Sequence, residues 1–86
     1  MSAPQITPSL TVQVRFFASL RERLGADDRR VAVAQGATVE DVWRAALGEV
    51  AMPPNTLAAL NQDYVDPAAV VRDGDEVAFF PPVTGG

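Results

Sequence analysis

One stretch of this chain carries a sustained helical pattern. Val39, Val42, Trp43, Ala46 and Leu47 recur at i, i+3, i+4, i+7 and i+8, the spacing of a core-facing stripe. Thr38 stands at its N-cap, Asp41 three positions on is a short stand-in for the Glu of a capping box, and Gly48 closes the far end. The rest of the ordered apolar signal has period two. Leu10, Val12, Val14 and Phe16 alternate with Thr11, Gln13, Arg15 and Phe17, and near the end Val77 and Phe79 alternate with Ala78 and Phe80. A single helix covers one face of a sheet, so these strands have one buried side and one open side. Trp43, in the middle of the helical stripe, is assigned to the core.

The segments between are short. Ser19-Leu20-Arg21-Glu22 reads as a capping box with Ser19 as N-cap and Glu22 at N3, opening a helix of under two turns that Gly25 ends. Arg30–Ala34, with Val31 and Val33 alternating, is a second strand. Glu49–Thr56 holds Pro53-Pro54 and is a loop. Leu57–Asn61 and Tyr64–Val65 read as two short strands around a turn at Gln62-Asp63. Asp66-Pro67 and Asp73-Gly74 mark further turns, and Pro81-Pro82 ends the last strand, Glu76–Phe80, because proline donates no ladder hydrogen bond. The predicted class is α+β. The element order fits a ubiquitin-like β-grasp fold, a mixed four- to five-stranded sheet with one main helix on one face. Residues 1–9 form a loose lead-in, residues 10–80 the domain, and residues 81–86 an extended tail.

Alternation places Phe17 and Phe80 on the face opposite the core residues. If the first and last strands are neighbours, the two rings form one patch, which Tyr64 is positioned to join. Leaving two phenylalanines in water forgoes roughly 3–6 kcal/mol, which points to a protein partner, unless a local twist turns one ring inward. From the root of this patch runs Pro81-Pro82-Val83-Thr84-Gly85-Gly86. Extended, it reaches about 20 Å. The prolines stiffen its base, Val83 offers an apolar anchor, and two glycines pass a slot too narrow for any Cβ. Such a tail suits the delivery of the Gly86 carboxylate into another protein's active site. The acidic cluster Asp73, Asp75 and Glu76 has two readings, a steering patch for a basic partner or a solvated turn.

The residue types that are missing narrow the chemistry. The 86 residues include no Cys, His or Lys, and all seven basic residues are Arg. No disulfide, thiol redox couple or zinc site is available, and neither are the usual nucleophile–base pairs. An autonomous enzyme is not expected, nor a bound metal or cofactor. The lack of Lys also means that an activated tail has no side-chain amine on its own kind to attach to, although a coding bias toward Arg explains that lack equally well. A net charge of −4 argues against a nucleic-acid partner. No apolar run spans a membrane and Met1–Ser9 is no signal peptide, so the expected compartment is the cytoplasm.

Two segments resemble a known family. Val14-Arg15-Phe16-Phe17-Ala18-Ser19-Leu20-Arg21-Glu22 is similar to the opening of the small subunits of molybdopterin synthases, ubiquitin-like sulfur carriers. The run Asp73-Gly74-Asp75-Glu76-Val77-Ala78-Phe79-Phe80-Pro81-Pro82-Val83-Thr84-Gly85-Gly86 is similar to their ending, and Ala59-Leu60-Asn61 stands where they have Ala-Val-Asn. The likeness spans residues 10–86, departing in the extra N-terminal residues and in the Glu49–Thr56 loop. It implies that a ubiquitin-activator-like adenylyltransferase uses Mg-ATP to adenylate the carboxylate of Gly86. A sulfur donor protein then leaves a thiocarboxylate there. The tail enters the large synthase subunit, usually in a two-plus-two heterotetramer, and supplies sulfur to cyclic pyranopterin monophosphate. Phe17, Tyr64 and Phe80 occupy positions that in the family face the partners. Carriers for thiamine or cysteine synthesis and ubiquitin-like protein modifiers are the alternatives within this class.

Overall fold

The structure is a computed structural model that describes residues 9–25 and 28–81, with the backbone alone at Ser19, Arg23 and Leu24. Strand β1 (Ser9–Phe16) is followed by helix α1 (Ala18–Leu24), β2 (Arg29–Ala34), helix α2 (Val39–Leu47), β3 (Leu57–Leu60), β4 (Asp63–Val65) and β5 (Glu76–Phe80). The five strands form one mixed sheet in the order β2-β1-β5-β3-β4. The first and last strands lie side by side and parallel at its centre, with Val14 opposite Val77 and Phe16 opposite Phe79.

The expected alternation sets the two faces. Val12, Val14, Phe16, Val77 and Phe79 are fully buried and meet Val39, Val42 and Trp43 of α2, while Ala46 and Leu47 lie partly buried at the edge. Trp43 is the keystone. It makes edge-to-face contacts with Phe79 (centroids 4.9 Å apart) and Phe16 (6.0 Å), and its indole Nε1 donates to the Val50 carbonyl at 2.7 Å. The α2 start is a full capping box. The Thr38 hydroxyl accepts from the Asp41 amide (3.2 Å) and the Asp41 carboxylate accepts from the Thr38 amide (2.9 Å). That backbone hydrogen bond, more than the Thr38 hydroxyl and Arg44 beside it, holds the Asp41 carboxyl below its usual range, against a smaller opposing effect of burial.

Two local expectations are corrected. The helix α1 starts at Ala18, with Phe17 as an N-cap that offers no side-chain hydrogen bond, so Ser19 and Glu22 are not its capping box. The reason is the sheet: the Phe17 amide still donates to the Phe79 carbonyl at 3.1 Å, and the chain can turn only after that last ladder bond. The end of α1 is as expected, with Gly25 left-handed at φ 58° and its amide bonded to the Glu22 carbonyl. The β3–β4 turn is Asn61-Gln62 rather than Gln62-Asp63. Leu60 pairs with Asp63, and Asn61 and Gln62 both have positive φ, 51° and 75°. The Asn61 carboxamide fixes this register by accepting from the Glu76 amide (2.9 Å) and donating to Asp75 (3.0 Å).

The acidic cluster organises the turn before β5. Asp73 accepts from the Thr11 amide at 2.8 Å, and Asp75 accepts from the Arg72 amide at 2.7 Å. Two of its three carboxylates thus cap the Thr11 and Arg72 amides on either side of Gly74, whose own amide donates to the Thr11 carbonyl. The strand edges also move by a residue, with β1 starting at Ser9 and β2 at Arg29.

Candidate functional site: the open face of the sheet

The register dictates what the open face presents. Arg15 lies opposite Ala78, Ala78 opposite Ala59, and Ala59 opposite Tyr64, so one row of side chains crosses four strands. Two alanines occupy its middle, and longer side chains stand at its ends. In the row beyond, Phe80 lies opposite Leu57, and Phe17 follows directly from β1. The sheet therefore has a dip floored by Ala59 and Ala78. It is an open hollow of about 250 Å³, lined also by Arg15, Phe17, Gln62, Tyr64, Glu76 and Phe80.

The aromatic residues expected to meet do meet. Phe17 stacks on Phe80 with centroids 4.7 Å apart and planes 7° from parallel, and Tyr64 tilts against Phe80 at 6.0 Å. The Arg15 guanidinium lies 4.9 Å from the Phe17 ring centre. It also pairs with Asp28 (3.4 Å) and, more loosely, with Glu76 (3.9 Å), so a cation, two stacked rings and a phenol form a column across the face. Neither phenylalanine is fully exposed, because each covers the other, whereas Tyr64 is 71% exposed. Neither ring turns into the core; that place is taken by Phe16 and Phe79.

Pro81 continues from Phe80 and is half-buried. Pro82, Val83, Thr84, Gly85 and Gly86, the rest of the expected tail, lie outside the described residues. Among the described residues no group of three acidic side chains is placed to hold a metal ion. What the sequence did not disclose is the alanine floor. Ala59 and Ala78 carry no chemistry, and only the β3–β5 register shows that they are neighbours.

The fold is that of a ubiquitin-like β-grasp domain, with a central last strand that leads from an aromatic patch into Pro81. The comparisons agree. The chain belongs to the ThiS family, whose model matches residues 14–86. It is 45% identical over 85 residues to the molybdopterin synthase sulfur carrier subunit of Escherichia coli, an alignment covering 87% of this chain and 99% of that one. It is 38% identical to the subunit of the same name from Haemophilus influenzae, over 87% of this chain and 99% of that one. Among solved structures it is similar to small archaeal modifier protein 1 of Haloferax volcanii (TM-score 0.73, 27% identity, 86% of this chain and 99% of that chain). It is also similar to a chain in a complex of subunits 1 and 2 of the molybdopterin-converting factor from Helicobacter pylori (TM-score 0.61, 27% identity, 90% of this chain and all of that chain).

Proposed function

We propose that this chain is the sulfur carrier subunit of a cytoplasmic molybdopterin synthase, with Gly86 as its reactive residue. The observation that carries the reading is the aromatic patch at the root of the tail: Phe17, Tyr64 and Phe80 converge where β5 passes into Pro81. A docking face placed there lets a partner hold the folded domain and receive the tail at once. The names of the relatives and the H. pylori complex of two subunits support a large synthase subunit as that partner.

The chemistry follows from what the chain contains. A carboxylate is a poor electrophile, so an adenylyltransferase must first convert the Gly86 carboxylate to an acyl adenylate with Mg-ATP. Sulfide-level sulfur released by a donor protein then bonds to the Gly86 carbonyl carbon as the bond to AMP breaks and AMP leaves. The resulting thiocarboxylate is an ionised, soft sulfur nucleophile at physiological pH. Pro81, Pro82, Val83, Thr84 and Gly85 carry it into the large subunit, where it gives sulfur to cyclic pyranopterin monophosphate. With no Cys, His or Lys in the chain, proton transfers fall to the partners.

Intact-mass analysis after incubation with the activating enzyme, Mg-ATP and a sulfur donor tests this. A product heavier by one oxygen-to-sulfur exchange, mapped to Gly86 and absent when Gly86 is deleted, is the expected result. An unchanged mass under those conditions sinks the carrier reading. A second reading, a protein modifier, is favoured by the likeness to the Haloferax modifier. It requires Gly86 to be found in amide linkage to lysines of other proteins.

A further inference from the structure

The β3–β4 turn contains two residues with left-handed backbone, and only one is accounted for by the fold. Two-residue hairpin turns of this kind favour Asn at the first position and Gly at the second. Asn61 fits, and both ends of its carboxamide are used to lock the hairpin onto β5. Gln62 sits where glycine is at ease, at φ 75°, a conformation that strains a residue with a Cβ. Its exposed side chain makes no hydrogen bond with any other described residue. That side chain lines the hollow, together with Phe17, Tyr64 and Phe80.

We propose that Gln62 is a specificity-determining residue of the docking face, whose carboxamide hydrogen-bonds the backbone of the large-subunit segment seated over the Ala59–Ala78 floor. The inference rests on the large-subunit partner proposed above. Stacked rings and an alanine floor give affinity with little direction, since apolar contact accepts many shapes. A carboxamide adds an acceptor and two donors in fixed geometry. Once water is excluded, a partner that leaves those groups unpaired is rejected more strongly than a matched one is gained. The position beside the rings explains why a strained turn holds glutamine. The backbone cost is borne in the free carrier and offset in the complex.

The test uses the full chain, its Gln62→Gly and Gln62→Ala variants, and the purified large subunit of the same synthase. Thermal melts of the free carriers accompany association and dissociation rates. We expect Gln62→Gly to melt at or above the wild-type temperature, since glycine relieves the strained φ. Both variants should bind about tenfold more weakly, with the loss in the dissociation rate, as for a short-range contact. Binding within twofold of wild type in both variants overturns the proposal while leaving the proposed function intact. So does a loss confined to the association rate. Wild-type carrier that fails to bind the large subunit overturns the partner reading itself, and the role of Gln62 with it.

Discussion

The ring of Phe17 lies flat on that of Phe80, 4.7 Å away, although the two residues come from opposite ends of the described chain. The parallel pairing of β1 with β5 brings them together, and the same pairing sends Phe16 and Phe79 into the core. Each strand end thus carries one ring for folding and one for the open face.

Phe80→Ala separates those two roles. The stack with Phe17 contributes about 0.5–1.5 kcal/mol to folding beyond its buried area, so the variant should remain folded with a modest loss in urea melts. An aromatic anchor at the centre of an interface is worth about 2–4 kcal/mol. Affinity for the large subunit should therefore fall about a hundredfold in calorimetric titration. A loss of folding stability larger than the loss of binding energy places the ring with the core instead.

The Thr38–Asp41 box predicts a pH dependence with a definite sign. The folded-state carboxyl of Asp41 is held below its usual range chiefly by the Thr38 amide. Its contribution is complete above the unfolded-state value, near 3.9, and is lost as pH falls through the lower folded-state value. Asp41→Ala should cost about 1 kcal/mol near neutral pH, as should Thr38→Ala. The gap between Asp41→Ala and wild type should narrow below about pH 4. Chemical denaturation from pH 7 down to pH 2.5 measures it, and a gap that widens on acidification contradicts the assignment.

The sequence disclosed these features unevenly, for physical reasons. The α2 stripe, its cap and the place of Trp43 were legible because helix periodicity and capping are local. The end of α1 at Gly25 was legible for the same reason, but its start was not. Ser19 and Glu22 have capping-box spacing, yet the ladder bond from Phe17 to Phe79 fixes where the chain leaves the sheet. The Asn61-Gln62 turn was misplaced by one residue because its register depends on a hydrogen bond from Glu76, distant in sequence. The phenylalanine pair was visible from strand parity once β1 and β5 were assumed to be neighbours. The hollow beside those rings was not, since it arises from two alanines on different strands.

That hollow supplies the last prediction. Ala59 lies between Ala78 and Tyr64 in the row across the open face, and its Cβ borders the empty space rather than the packed core beneath. Ala59 is only 4% exposed but lies outside the core cluster, so Ala59→Val directs its two extra methyl groups toward the hollow, on a residue type that strands favour. The free carrier should lose no more than about 1 kcal/mol of stability, the centre of the range for single substitutions. A partner side chain that seats on the alanine floor would meet those methyls, and overpacking an interface of native density costs about 1–3 kcal/mol. Affinity for the large subunit should therefore drop about tenfold or more, measured by titration beside a thermal melt of the same preparation. Unchanged binding at unchanged stability would show that the partner spans the hollow without entering it, and that the rings alone form the contact.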